Sequence, residues 1–419
     1  MAKKKTPPVV RSVTKRQLSH AQKQHRQQRF IMGVAMAIIA AVVILVGSGF
    51  YFQWYLPEFK PRQETVLEVN DRQFDMDYFI DALSYHAAGY PQYASLFADS
   101  VLSNMEATEL MRQEAEKLGI TVDEKDVDEK IKTDKIANST VMRDLVRGQL
   151  LSQKMRDEFF GPQIPEADQQ WHVMAMFLES QSQVDLIKAR IEAGEDFGTL
   201  AEELSLESTT QSSKGDLGFR PAGVLESLLN SSVIETAVVG SQVGTLAQVQ
   251  DAEKTKSVGY WLIRVTERTE ALTGARVSGM LLRSEEEALA IKARVDAGED
   301  FTTLAEEFSL VWTEESKDDR GNFTSESTEV FVEYVLSAST PLNSVSHPIR
   351  DTGRSSPGGF WLFKVVESGV KVISDTDRDT LINQAFTLWI EEKQADEQNN
   401  IVKNMTDEMK AFAAARVQA

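Results

Sequence analysis

The chain has 419 residues, with 45 Lys and Arg against 64 Asp and Glu, a net charge of −19, and no cysteine. The lack of cysteine excludes disulfides, a thiol nucleophile and a thiolate metal site. Residues 1–57 hold nine positive charges and no acid, so residues 58–419 carry −19 − 9 = −28, a balance that argues against nucleic acid and anionic lipid as partners.

In chain order, residues 1–29 read as a basic cytoplasmic tail, its charges being Lys3, Lys4, Lys5, Arg11, Lys15, Arg16, Lys23, Arg26 and Arg29. The stretch Phe30–Leu56 has no charged side chain and predicts one transmembrane helix, about 20 apolar residues being enough to span a bilayer. The positive flank places the N-terminus in the cytoplasm, and Tyr51, Trp54 and Tyr55 suit the outer interface. A cleaved signal peptide is the alternative, but the run is long for one and no A-x-A site follows. The expected topology is a single-pass cell-membrane protein with an extracytoplasmic C-terminal ectodomain. Residues 60–165 predict a helical domain. It opens with a strand at Thr65–Val69, followed by helices at Asp77–Tyr85, Val101–Leu118, Glu124–Ile131 and Val141–Phe160, with a stop at Gly119.

Comparing the chain with itself then shows a duplication. Residues 187–206 (IKARIEAGEDFGTLAEELSL) and 291–310 (IKARVDAGEDFTTLAEEFSL) agree at sixteen of twenty positions. A second pair, GYWLIRV at Gly259–Val265 and GFWLFKV at Gly359–Val365, recurs at an offset of 100. The spacing predicts two copies of one domain, at 166–270 and 273–370. Each opens with a strand and continues with helices stopped at Gly194 or Gly298. A polar loop and a third helical stretch (224–238, 327–338) follow, and an apolar strand closes the copy. Helices on an antiparallel sheet make the class α+β. Residues 375–419 predict a long amphipathic helix or pair, with Phe386, Trp389 and Ile390 on one side and Ile401, Met405 and Met409 further on. This segment is expected to pack back on the N-terminal helical module.

The repeat, with its Ala-Gly-Glu-Asp-Phe helix end, the Gly-Asp-Leu-Gly loop at Gly215–Gly218 and the closing strands, resembles the parvulin-type (PpiC, rotamase) peptidyl-prolyl isomerase family. Residues 66–160 are similar to the helical chaperone domain of the SurA and PrsA foldases. The resemblance implies a foldase needing no cofactor and no metal. Its work would be to lower the barrier of an X–Pro amide, about 18–20 kcal/mol, by gripping the proline in an apolar pocket. Family members use two histidines, an adjacent Cys or Asp, and an apolar wall.

Carried over residue by residue, the first histidine falls on Met176, assuming a one-residue deletion in the following loop, and on Gly279 in the second copy. The second falls on Trp261 and Trp361, and the Cys/Asp position on Glu207 and Val311. The expected groove of the first copy is therefore Met176, Glu207, Asp216, Leu217, Phe219, Leu225, Ile234 and Trp261. Leu217, Leu225 and Ile234 stand where the family contacts proline. The degenerate counterpart is Gly279, Val311, Phe323 and Trp361. No catalytic residue is assigned. The two tryptophans are expected to fill the cavity, and His172 reads as a structural or surface residue. There is no H-E-x-x-H, G-x-S-x-G or P-loop. The leading reading is an extracytoplasmic foldase that binds unfolded exported polypeptides with weak or lost isomerase activity. Its rivals are an active isomerase working through the first copy and a scaffold for one folded membrane partner.

Overall fold

A computed structural model describes residues 15–418, so Lys3, Lys4, Lys5 and Arg11 of the expected tail lie outside the described residues. The chain divides into two compact units, Met1–Asp157 with Thr387–Ala419, and Glu158–Phe386.

In the first unit a helix over Lys15–Phe50 runs on through a π-helical stretch, Tyr51–Phe59. Its segment Arg29–Arg62 is long and apolar enough to cross a membrane. Strands are numbered along the chain. β1 (Thr65–Val69) and β2 (Arg72–Asp75) form a tight hairpin, whose turn residue Asn70 takes the left-handed conformation that asparagine tolerates. Asp75 then caps the helix Met76–His86 by accepting from the Tyr78 amide at 2.9 Å. Helices Ala94–Lys117, Glu124–Asp134 and Thr140–Lys154 follow. The carboxylate of Glu109, only 1 % exposed, is held by Arg72, Arg112 and Gln113 at 2.6–2.9 Å.

The C-terminal segment takes the paired form of the expectation, two helices, with a short strand between them that was not expected. The helix from Asp375 ends at Ala395, and Ile401–Lys403 is a strand, β11, added antiparallel to β1 to give the order β11-β1-β2. Asparagines tie the returning strand to the β1–β2 turn. The Asn70 amide donates to the Asn400 carbonyl at 2.7 Å, and the Asn400 amide returns to Asn70 Oδ1 at 2.8 Å. A last helix, Asp407–Val417, is capped by Thr406 and places Ala413 and Ala414 in the core beside Val66, Phe79 and Leu83.

The second unit holds two four-stranded antiparallel sheets. In chain order its strands are β3 (Ala167–Leu178), β4 (Asp216–Pro221), β5 (Leu246–Lys256), β6 (Gly259–Arg268), β7 (Gly274–Leu282), β8 (Asp319–Thr324), β9 (Ile349–Asp351) and β10 (Ser356–Val372). The orders are β4-β3-β10-β5 and β8-β7-β6-β9. Helices Gln181–Glu192 and Phe197–Leu204 follow β3, and Glu285–Asp296 and Phe301–Phe308 follow β7. Gly194 and Gly298 end the first helix of each pair at φ +98° and +100°, where any side chain would be strained. Asp196 and Asp300 cap the second.

The expected boundaries, 166–270 and 273–370, fail at one point: the closing strands are exchanged. β6 leaves the sheet of β3 to β5 and pairs with β7 and β9, setting Trp261 opposite Leu281 and Ile349. β10 crosses the other way, setting Trp361 opposite Phe177 and Val249. The first lobe is thus β3, β4, β5 and β10, and the second is β6, β7, β8 and β9. Sequence could not reveal this, because the two strands present nearly the same faces.

Where the crossing segments pass, Ser356 pairs with Lys256 and Pro357 with Thr255. Lys256 is 2 % exposed, and its ammonium donates to the carbonyls of Gly358 and, at 3.3 Å, Pro357. Burial lowers its pKa to about 8 from the usual 10.5, while Glu179 and Glu287 pull it back up. Between those values the unfolded chain holds a proton that the folded one has released, so this group makes stability rise with pH across that window. Urea unfolding of the wild type and of Lys256→Met, followed from pH 8 to 10.5, should show this rise in the wild type alone. Parallel profiles would mean that Lys256 is solvated.

Candidate peptide-binding site

The expected wall of the first copy does assemble. Leu217, near the start of β4, meets Leu225 and Leu229 of the helix Val224–Leu229, and Ile234 of the helix Ser232–Val239. With Val173, Ala175 and Phe177 of β3 they form one buried cluster on one face of the sheet. The tryptophan in this cluster is Trp361, fully buried, its ring 4.8 Å from that of Phe177. Trp261 sits in the second lobe with Phe323, Phe331 and the half-buried Val311. The two tryptophans have therefore traded lobes relative to the sequence expectation, carried by the strand exchange.

Met176 is a second correction. Strand side chains alternate between faces, and Met176 belongs to the opposite one, packed with Leu178, Val184, Ile187 and Leu362. Gly279 pairs with Ile263, and the matching pair in the first lobe is Ala175 with Phe363. Ala175, not Met176, is the counterpart of Gly279. No loop deletion is needed, since Ala175 and Gly279 are separated by 104 residues, the offset of the helical repeat. A Cβ at Gly279 would lie 2.7 Å from Ile263 Cδ1, so nothing larger fits there without repacking.

Each indole is satisfied by a buried carboxylate that sequence reading missed. Trp361 Nε1 donates to Asp251 Oδ2 at 3.2 Å and to Ser231 Oγ at 3.1 Å, and the Ser231 hydroxyl itself donates to Asp251. Trp261 Nε1 donates to Asp351 Oδ2 at 2.9 Å. Asp251 and Asp351 recur at the offset of 100 shared by the closing strands, and that coincidence was the available signal.

The remaining expected residues do not converge on a reactive centre. Glu207 is buried and caps the short helix Ser208–Ser212, accepting from the Thr210 amide at 2.7 Å. Asp216 is half exposed and accepts from the Gly218 amide, with His172 Nε2 2.8 Å away. Burial raises the pKa of Asp216, but the Gly218 amide and His172 outweigh this and hold it below the usual carboxylate range. Phe219 lies 5.1 Å from the His172 ring, under the Lys371 ammonium at 4.4 Å. His172 is thus a partner of the Gly-Asp-Leu-Gly loop at the sheet's far end. The helical unit has a cleft of about 290 Å³ lined by Arg72, Tyr78, Thr140, Arg143, Asp144 and Arg147, whose arginines are engaged by carboxylates. Among the described residues no cluster of His, Cys, Asp and Glu could hold a metal.

Comparison with known proteins agrees with this arrangement at the level of family. Residues 20–167 match the SurA-like N-terminal domain and residues 172–267 the PPIC-type PPIASE domain. The chain is 31 % identical over 147 residues to the foldase protein PrsA of Caldanaerobacter subterraneus subsp. tengcongensis, covering 32 % of this chain and 48 % of that protein. It is 27 % identical over 171 residues to the foldase protein PrsA of Clostridium acetobutylicum, covering 40 % and 50 %. The chain thus spans about half the length of the curated relatives it matches. The crystal structure of the peptidylprolyl isomerase PrsA from Bacillus anthracis aligns over 75 % of this chain and 94 % of its own, at 11 % identity and a TM-score of 0.30. These matches support a parvulin-type peptidyl-prolyl isomerase domain at 172–267 preceded by a SurA-like N-terminal domain. The matched segment 172–267 ends in β6, a strand that the fold gives to the other lobe.

Truncating Trp361 to alanine should cost about 3–5 kcal/mol, as for other buried aromatic side chains. By hydrogen exchange, protection should fall first in β3 and β5, with β7 affected less. Earlier loss in β7 would place Trp361 in the other lobe.

Proposed function

We propose that this protein is a membrane-anchored extracytoplasmic foldase that binds unfolded exported polypeptides, with isomerase activity lost from both lobes. One observation carries the reading. Where the family places its paired histidines, the first lobe has Ala175 and a fully buried Trp361, and the second has Gly279 and a buried Trp261. Neither lobe can move a proton or support the nitrogen of a twisting amide at these positions. The indoles occupy the volume a proline ring would need, each locked to a buried aspartate. On this reading both lobes are parvulin-like, the second being the more degenerate, since Phe323 stands in place of the leucine and a side chain at Gly279 would force Ile263 to repack.

Binding of clients then falls to the helical unit. Tyr90, Tyr93 and Leu96 are all at least half exposed around the start of the helix Ala94–Lys117, a concentration of apolar side chains that suits unfolded segments. The apolar helix Arg29–Arg62, the basic residues before it and the aromatic residues at its end support anchoring with the ectodomain outside the cytoplasm. The excess of acid in that ectodomain keeps it soluble.

Two assays test this on the full chain in detergent micelles. In a protease-coupled proline-peptide assay the observed rate should equal the uncatalysed one, and acceleration comparable with an active parvulin would overturn the proposed loss. With an unrelated aggregating client, stoichiometric protein should suppress light scattering, and the double substitution Tyr93→Ser, Leu96→Ser should weaken that suppression several-fold. No suppression by the wild type would remove the chaperone reading.

A further inference from the structure

β10 runs on past the strand at its outer side. β5 pairs with it no further than Leu246 opposite Lys364, and the Gly244 amide then donates to the Val365 carbonyl at 2.8 Å. From Glu367 to Val372 the strand is paired with β3 alone, after a bulge between Val365 and Glu367. The Ile373 amide donates to the Glu166 carbonyl at 2.9 Å, on the β3 side. Backbone groups alternate along a strand, so Lys371 and Gly369 also turn theirs to β3, while Ser368 and Val370 turn theirs to the open side. Past Val372 the chain leaves in the other direction, toward β4, where Asp377 meets Arg220 at 2.8 Å. Among the described residues this edge is therefore uncovered, with Val370 71 % exposed and Val372 79 %.

We propose that this edge joins two copies of the chain, Glu367–Lys371 of one pairing antiparallel with Glu367–Lys371 of the other about a two-fold axis at Gly369. An open edge invites a further strand, and charge on the edge decides which strand it accepts. Glu367, Gly369 and Lys371 share one face of β10, with Lys371 Nζ 2.9 Å from the Glu367 carboxylate. This pattern is complementary to its own reversal. With Gly369 opposite Gly369, Glu367 of each copy stands opposite Lys371 of the other. Ser368 and Val370 then face each other as hydrogen-bonded pairs, and these are the residues whose backbone groups point outward. The charge pairs fall at non-hydrogen-bonded positions, where side chains stand closer. On the other face the two Val370 side chains become diagonal neighbours and lose apolar surface to water contact.

The neighbouring symmetric registers, centred on Ser368 or Val370, would set the charges opposite Gly369, Val365 or Ile373 and forfeit both pairs. Gly369 also gains a reason. In the single copy its φ is not left-handed and a Cβ there would meet nothing within 4 Å. At the axis it lets two backbones approach closely. The contact presents the same patch on both sides, so it closes at two copies. The ladder is short, bounded by Gly244 at one end and by the turn toward β4 at the other, and the association is correspondingly weak and reversible.

The chain contains no cysteine, so one introduced thiol reports the contact. Gly369→Cys would place two thiols across the axis on Cα atoms about 4.5 Å apart, within reach of a disulfide. Oxidised as the full chain in detergent micelles, Gly369→Cys should form a covalent dimer several-fold faster than Leu186→Cys, an exposed control on the helix Gln181–Glu192. Adding Glu367→Lys to it, or Lys371→Glu, should slow the dimer, because each sets like charges across the axis. A mixture of those two double variants should recover it. Every pair across the axis is then opposite in sign, while the charges within each chain remain alike. Equal rates at Gly369 and Leu186 would overturn the proposal, as would a mixture no faster than either variant alone. A Gly369→Cys thiol that stays reduced, yet is shielded from alkylation by an unfolded client, would give the edge to clients and overturn it as well.

Discussion

Two buried indole–carboxylate bonds, Trp361 to Asp251 and Trp261 to Asp351, organise the second unit. Each pins a closing strand to the strand that flanks it, and each does so across the point where the chain passes from one lobe to the other. A buried carboxylate without a donor would be costly, and the indole N–H supplies one without adding a charge. The aromatic ring meanwhile packs in the apolar cluster on one face of its sheet. One interaction thus serves both as core packing and as the register of the closing strand.

That economy underlies the proposed loss of isomerase activity. An isomerase needs a concave face with movable protons beneath it. On the proposed reading that face is convergent but full. The apolar wall of Leu217, Leu225 and Ile234 persists because it is also core, so its retention carries no memory of catalysis. The polar residues around it have settled into structural roles. Glu207 caps a helix, Asp216 braces a loop with His172, and Ser231 caps the helix Ser232–Val239 while bonding Asp251.

The first unit is built on a different principle. Its small sheet takes a strand from each end of its sequence, β1 and β2 from the start and β11 from the finish. The last helix then closes the core over Val66, Phe79 and Leu83. The chain leaves this unit after Asp157 and returns at Thr387, so both lobes are carried as one insertion in it. The buried Glu109 with Arg72, Arg112 and Gln113 gives the helical core a fixed polar centre.

The sequence by itself determined everything that depends on local periodicity or on repetition. The apolar helix, the helix stops at Gly194 and Gly298, the α+β class and the duplicated segments all follow from spacing along the chain. It also exposed the missing histidines, because a residue type at a motif position can be read without coordinates. What it could not decide was which of two like strands completes which sheet, since GYWLIRV and GFWLFKV offer both sheets the same face. Nor could it decide whether Met176 or Ala175 faces the site, because a slip of one residue reverses every side chain of a strand. Those choices rest on pairings between residues far apart in sequence: Trp361 with Phe177, Phe363 with Ala175, and Trp361 with Asp251. Only the tertiary structure brings such groups together, and so it alone reveals the pairing.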